Sequence, residues 1–198
     1  MPLLEADSPD NPYGLFHRWY AEAERAGALQ PDAMTLATSG PQGPSARMVL
    51  FKGIDDGSFL FYSNYRSRKG RNLEADNRAA LVFYWSLTRH QVRVSGTVSR
   101  LDRKASARYF ASRPRGAQLS ALASRQSRVV PSRAVLEQAV LDLAVKYPNE
   151  VPLPDEWGGF ALKPRWIEFW ENREDRLHDR LRYVRSAGGV WRLERLAP

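Results

Sequence analysis

Leu15, Phe16, Trp19, Ala23 and Ala26 fall on one helical face, opened by Asn11-Pro12 as cap and first helical position and closed by Gly27, so the chain starts with an amphipathic helix. From Ala33 the apolar period shortens to two. Residues 33–38 and 45–52 flank a turn bearing glycine and proline at 39–44, a second turn spans 53–57, and residues 58–64 follow. These segments predict three antiparallel strands. Residues 65–76 are polar, with Ser67 placed to cap a short helix that carries Leu73 and Ala75. The apolar run 78–86 and the alternating run 89–101 read as two more strands. Asp102 caps a helix reaching Ser112, Pro114 interrupts it, and 116–124 and 133–146 continue in helical periods. The loop 148–155 carries Pro148, Pro152 and Pro154, and strands at 159–170, 180–185 and 190–195 close the chain. Read as extended, the stretch Arg176 to Arg180 sends Arg176, His178 and Arg180 to one face and Leu177 and Asp179 to the other. Many strands joined by short turns, with few crossover helices, predict an α+β fold: mainly β with flanking helices, a barrel rather than a doubly wound sheet.

The chain of 198 residues fits one domain, 1–198, with residues 1–10 disordered or extended ahead of the first helix. Its formal charge of +8 attracts anions, a property that nucleic acid, anionic membrane and phosphorylated small molecules all satisfy. It has no cysteine, which removes thiolate metal sites and thiol nucleophiles, so any redox chemistry comes from a bound cofactor. The three histidines, His17, His90 and His178, lack the spacing of zinc ligands, so no metal site is expected. There is no Gly-x-Ser-x-Gly elbow, Walker loop or Gly-x-Gly-x-x-Gly turn. Without a leader-like start or a long apolar run, the reading is cytoplasmic, with no membrane partner.

Several residues stand out chemically. Arg47 and Lys52 put cations into a strand otherwise suited to a core, on opposite faces unless a bulge intervenes; strand ends in water explain them equally well. Ser67-Arg68-Lys69-Gly70 begins a helix, where unpaired amides and two cations suit a phosphate, although many surface helices start this way. Tyr109 and Arg113 lie four apart on one helical face and could share a phosphate, or be a core phenol and a helix-end cation. Gln126-Ser127 lies in a loop rich in hydrogen-bonding groups, and Gln91 is an amide in an apolar strand that needs a partner if buried.

In order and spacing these segments resemble the pyridoxine/pyridoxamine 5′-phosphate oxidase family, FMN-dependent split-barrel flavoenzymes. The resemblance runs from about Asn11 to Pro198. It rests on Arg47 to Lys52, Phe61 to Tyr65 with Ser67 to Gly70, Gln91-Val92-Arg93, Tyr109 to Arg115, Gln126-Ser127 and Trp157-Gly158-Gly159. Glu168-Phe169-Trp170 with Arg176 to Arg180, and Arg195 to Pro198, complete it. It implies a homodimer with FMN in clefts between subunits, held by Arg47, Met48, Val49, Leu50, Lys52, Tyr62, Ser63, Arg68, Lys69, Gln91, Gln126, Ser127, Trp170 and Arg180. Lys52, Tyr109 and Arg113 look like the seat of the substrate phosphate, and Arg176, Leu177 and His178 like the cover of the pyridine ring, with Arg176 and His178 in catalytic positions. The implied reaction oxidises pyridoxine 5′-phosphate or pyridoxamine 5′-phosphate to pyridoxal 5′-phosphate with O2, giving H2O2. The sequence departs from the family pattern at Ala117, where a serine usually completes the phosphate clamp, at His90, where arginine is usual, and in its short N-terminus. A same-fold FMN oxidase of the phenazine-pathway type, and a basic nucleic-acid-binding barrel, remain open alternatives.

Overall fold

Asn11 caps helix α1 (Pro12–Arg25), its side chain accepting from the Tyr13 amide at 2.9 Å in the computed structural model, which describes residues 3–198. Strands β1 (Ala33–Gly40) and β2 (Gly43–Leu50) form the first hairpin. A two-residue strand β3 (Ile54–Asp55), where only a turn is expected, pairs with β4 (Ser58–Asn64). Helix α2 (Arg68–Ala75) separates β4 from β5 (Arg78–Trp85) and β6 (His90–Arg100). Three helices follow, α3 (Arg103–Ser112), α4 (Arg115–Ala123) and α5 (Arg133–Lys146), and then strands β7 (Trp157–Glu171), β8 (Asp179–Arg185) and β9 (Trp191–Arg195). Among the described residues the strands pair antiparallel in the order β2-β1-β5-β6-β7-β4-β3, and β8 and β9 extend from β7.

Strand β7 is shared between two partners. Its first half, Trp157 to Leu162, pairs with β4, and its second half, Trp166 to Glu171, pairs with β8, while β6 runs along its opposite edge. The change of partner coincides with a register shift at Ser95/Gly96, opposite Pro164. Proline has no amide to give the ladder, and a Cβ on Gly96 would lie 2.0 Å from the Lys163 carbonyl oxygen, so glycine is required there. The chain beyond β2 returns to β4, with the Lys52 amide donating to the Leu60 carbonyl and the Leu60 amide to that of Gly53. This closes a split barrel, as expected.

The barrel interior is aromatic. Phe16 of α1 meets Phe51, Phe59 and Phe83 edge-on at centroid distances of 5.3, 5.0 and 5.1 Å, with Leu15, Trp19 and Ala23 buried on the same helical face. A second apolar cluster, Phe110, Leu119, Val151 and Trp157, seats α3 and α4 beside β7. None of the described helices is long and apolar enough to cross a membrane.

Two expectations change. The stretch 176–178 is not strand: Glu174–Arg176 is a 3-10 turn with Asp175 and Arg176 at φ of 54° and 61°, and β8 starts only at Asp179. Residues 3–10 are not loose either, whereas residues 1 and 2 lie outside the described residues. Leu3 is buried in the core, Glu5–Asp7 forms a 3-10 turn, and Arg195 reaches the Glu5 carboxylate with two bonds of 2.7 Å. Replacing the buried Phe16 with alanine should cost about 3–5 kcal/mol and lower the thermal midpoint by roughly 10 °C. A midpoint within 2 °C of the parent, read by circular dichroism at about 2 °C per kcal/mol, would show that this ring does not organise the core.

Candidate functional site

The end of β4 and the start of α2 gather three cations: Arg66 pairs with Glu156 at 2.6 Å, whereas Arg68 and Lys69 have no carboxylate partner among the described residues. The Ser67 hydroxyl caps α2 by accepting from the Gly70 amide at 3.3 Å. Gly70 is needed because a Cβ there would lie 2.0 Å from the Tyr65 carbonyl oxygen. Lys69 is buried, and its Nζ donates to Gln126 Oε1 at 2.8 Å, Ser63 Oγ at 3.1 Å and Ser67 Oγ at 3.4 Å. The Arg68 amide donates to Ser127 Oγ at 3.2 Å, and Ser127 adopts a left-handed φ of 72°. On the neighbouring strand, Arg47 is held by neutral acceptors: its guanidinium donates to the Leu36 carbonyl, to Thr38 Oγ1 at 2.8 Å and to Ser45 Oγ at 2.6 Å. Among the described residues no carboxylate pairs with Arg47, Arg68 or Lys69. Burial first, and then the charge of Arg47, push the Lys69 ammonium down to about 8, and burial with the charge of Arg68 works against the charged form of Arg47. Such a cluster is a seat for a polyvalent anion.

Next to it stands a column of rings. Tyr62 on β4 stacks on Tyr109 of α3 at 3.8 Å, and Trp157 at the head of β7 lies nearly parallel to both, at 5.6 and 6.2 Å. Arg113, which caps α3 at its C-terminus, sets its guanidinium 4.7 Å from the Trp157 ring centre. Its Nη1 is buried with no hydrogen-bond partner, and burial pushes its pKa down. A buried guanidinium hydrogen without an acceptor is costly, and a bound anion removes that cost. Lys52 does not join this clamp. It lies beyond the end of β2, and its Nζ pairs with Asp32 at 2.8 Å.

A third group lies on β6, β7, β8 and the turn before β8. Gln91 is level with Trp170, and Trp170 with Arg180. Arg180 is held by the buried Glu168, donating through Nε at 2.9 Å and Nη2 at 2.8 Å, and Arg93 shares that carboxylate. His178 sits 4.7 Å from the Trp170 ring, and its Nδ1 accepts the Arg173 amide at 3.1 Å, so the ring proton sits on Nε2. Arg176 and Leu177 are exposed on the turn. Along β2 the alternation divides the expected residues: Arg47 and Val49 face inward, whereas Met48 and Leu50 face out. Any surface common to all four is backbone.

The fold thus brings Ser63, Lys69 and Gln126 into direct contact, with Arg68 and Ser127 bonded beside them, and Tyr62, Tyr109 and Arg113 in an adjoining layer. Thr38 and Ser45 as holders of Arg47, Glu168 as holder of Arg180 and Trp157 as the Arg113 platform are additions to the expected set. Ser45 left a signal in spacing, two residues before Arg47 on the same strand face, and Trp157 and Glu168 stand in segments that carry the resemblance without a role assigned. A groove of about 790 Å³ between the 124–131 loop and α5 opens at Gln126, on the border of the cation cluster.

Comparison with known proteins gives consistent likenesses. The family described as Pyridoxamine 5′-phosphate oxidase matches residues 21–147, and the Pyridoxine 5′-phosphate oxidase C-terminal dimerisation region matches residues 157–198. The chain is 53% identical over 193 residues to a Pyridoxine/pyridoxamine 5′-phosphate oxidase of Salinibacter ruber, covering 96% of this chain and 90% of that protein. It is 50% identical over 198 residues to a protein of the same name from Rubrobacter xylanophilus, covering 99% and 91%. Among solved structures it resembles PhzG from Burkholderia lata 383 in complex with tetrahydrophenazine-1-carboxylic acid, with a TM-score of 0.92, 33% identity and coverage of 99% and 98%. A pyridoxamine 5′-phosphate oxidase-related, FMN binding protein from Nostoc punctiforme shares the fold, with a TM-score of 0.77, 19% identity and coverage of 96% and 100%.

The buried Lys69 gives the anion seat a pH dependence. Its folded pKa of about 8 lies below the free value of 10.5, so burial of the charge opposes folding fully below pH 8 and is relieved as pH rises from 8 to 10.5. A bound anion favours the protonated lysine, so affinity falls as pH rises through 8. Calorimetric titration with a phosphate monoester should show binding roughly tenfold weaker at pH 9 than at pH 7, and Lys69→Met should be weak at both. Equal affinity of the parent at the two pH values would rule out this role for Lys69.

Proposed function

The chain belongs to the pyridoxamine 5′-phosphate oxidase family of oxidoreductases, and from that premise we propose that it is an FMN-dependent oxidase of phosphorylated B6 vitamers. Pyridoxine 5′-phosphate and O2 give pyridoxal 5′-phosphate and H2O2; pyridoxamine 5′-phosphate, O2 and water give the same products and ammonia. The observation that carries the reading is the pairing of two anion seats: the uncompensated Arg47, Arg68 and Lys69, and the stacked Arg113 with an unpartnered buried Nη1.

The first seat fits the FMN phosphate. Arg47, Arg68 and Lys69 supply charge, and Ser63, Gln126 and Ser127 surround them with hydrogen-bonding groups. Bound flavin supplies the redox chemistry, taking a hydride equivalent from the substrate and passing electrons to O2. The second seat takes the vitamer phosphate: Arg113 offers its free Nη1 hydrogens and Tyr109 its phenol, anchoring the substrate away from the reacting carbon. His178 presents Nε2–H as a donor, and Arg176, on the same exposed turn, adds a cation that favours an anionic form of the pyridine ring. Gln91, Trp170 and Arg180 form the sheet surface against which the flavin is held, with Glu168 fixing the Arg180 guanidinium.

Each 198-residue chain acts as one FMN-binding unit of a homodimer. The dimer is supported by the match of residues 157–198 to a dimerisation region and by an exposed apolar strip on the outer sheet face, where Met48 and Tyr84 are 61% and 60% accessible. Lys52, already paired with Asp32, contributes to either seat only if a second subunit or a ligand draws it away.

A second reading, oxidation of a reduced phenazine precursor, is favoured by the likeness to PhzG and by Ala117, which lacks a hydroxyl for a phosphate clamp. The two separate on substrate. The purified protein should be yellow, and should turn over pyridoxine 5′-phosphate but not the unphosphorylated alcohol. Arg113→Ala should raise KM for the phosphorylated substrate about ten- to a hundredfold, as expected for loss of a charged hydrogen bond. Turnover of a reduced phenazine acid without turnover of the vitamer would select the second reading.

A further inference from the structure

Within the turn that carries Arg176 and His178, one backbone bond, from the Leu177 amide to the Glu174 carbonyl at 3.2 Å, closes the 3-10 turn. Asp175 and Arg176 are consecutive non-glycine residues in left-handed backbone, a conformation that surrounding structure must impose. The side chains of Arg176 and Leu177 are exposed, Leu177 at 73%. The restraint comes from the residue that follows. Asp179 Oδ2 accepts from Arg173 Nε at 2.8 Å and from the Leu3 amide at 3.2 Å, and Asp179 Oδ1 accepts from Arg195 Nη1 at 2.8 Å. The carboxylate therefore ties the first residue before the turn to the strand after it, to β9 and to the N-terminal segment. Arg173, so held, places its backbone amide on His178 Nδ1 and its Nη2 on Glu171 at the end of β7. Arg195 is itself braced by the Glu5 carboxylate and the Leu3 carbonyl. Burial works to raise the Asp179 pKa, and the bonds from Arg173 and Arg195 outweigh it, so the carboxyl stays ionised.

We propose that Asp179 is a positioning residue: through Arg173 and Arg195 it sets the turn bearing Arg176 and His178, and through Leu3 and Glu5 it makes the N-terminal segment the outer brace of that turn. The side-chain bonds of Asp179 run to Arg173, Arg195 and Leu3 and to no residue of either anion seat. The inference rests on the vitamer-oxidase reading for its catalytic consequence, and on the bonding alone for its structural one. Leu3 and Glu5 thereby support the turn from outside rather than reach over the substrate.

The test uses the FMN-loaded full-length protein and Asp179→Asn, which keeps the shape and removes the charge, with two readouts. Trypsin cleavage after Arg176, followed by mass spectrometry, should be at least tenfold faster in the variant. The value of kcat/KM for pyridoxine 5′-phosphate per bound flavin should fall at least tenfold, while FMN affinity, anchored chiefly by the charges of Arg47, Arg68 and Lys69, changes less than threefold. A purely structural role would lower flavin content and thermal midpoint but leave kcat/KM per flavin unchanged, and that outcome, or cleavage within twofold of the parent, overturns the proposal. Should Asp179→Asn fail to fold, Arg173→Gln, which keeps the backbone amide to His178, is measured by the same two readouts and criteria. A parent protein that binds FMN yet ignores the vitamer sinks the substrate reading; the cleavage comparison then still decides whether Asp179 holds the turn.

Discussion

One strand, β7, has to serve two partners along one edge, β4 and then β8, and its register against β6 shifts opposite Pro164 where they change over. A regular fifteen-residue β7 would carry one partner along each edge for its whole length. The missing proline amide and the close approach of the Lys163 carbonyl to Gly96 break the ladder in the middle, so that β4 occupies one half of an edge and β8 the other. The division of chemistry follows this division of pairing. The β4 half carries Ser63 toward α2 and Tyr62 toward α3, and brings Trp157 beside Tyr109 and Arg113. The β8 half carries Glu168, Trp170 and Arg180 and ends in the turn that presents His178. Because β6 spans both halves, the two groups are fixed relative to one another by backbone hydrogen bonds rather than by side-chain contacts.

On this frame the cations fall into two classes. Lys52, Arg93 and Arg180 have carboxylates, Asp32 for the first and Glu168 for the other two. Their role toward a ligand is to be oriented. Arg47, Arg68, Lys69 and Arg113 have none among the described residues, and burial is the chief influence against the charged form of Arg47, Lys69 and Arg113. Like charges held together by hydroxyls and carbonyls cost stability, and a dianion reverses the sign of that energy. The net charge of +8, which alone fits nucleic acid, membrane or phosphate equally, thus becomes specific through its uneven neutralisation.

Alternation and capping were legible in the sequence because they are local. The Asn11, Ser67 and Asp102 caps and the strands 58–64 and 78–86 stand where period and turn chemistry put them, to within a residue or two. The turn at 174–176 was not, because its left-handed residues are Asp175 and Arg176 rather than glycine, and the alternation of Arg176, His178 and Arg180 imitates a strand. The contact of Gln126 with Lys69 spans 57 residues and that of Leu3 with Asp179 spans 176, so neither leaves any mark in spacing. The resemblance of motifs supplied the first; the second had no motif to carry it. Lys52 is the converse case: the resemblance places it in a phosphate clamp, and within the single chain it pairs with Asp32, just ahead of β1.

Ala117 bears on the weight each remaining donor carries. With no hydroxyl at that position, the proposed phosphate seat has Arg113 and the Tyr109 phenol as its donors, and these two are held in different ways. Tyr109 stacks on Tyr62 at 3.8 Å with Trp157 nearly parallel to both, and the Arg113 guanidinium lies 4.7 Å from the centre of that indole. Removing one hydroxyl from a flexible clamp costs about 0.5–1.5 kcal/mol, but a preorganised guanidinium and phenol lose less entropy on binding. Arg113 already bears the desolvation cost of its orphaned Nη1 before any ligand arrives. On the proposed reading a phosphate that accepts from Nη1 would recover this energy and add Coulomb attraction, whereas an uncharged acceptor would supply the hydrogen bond alone, so the seat would favour a charged group even without the hydroxyl.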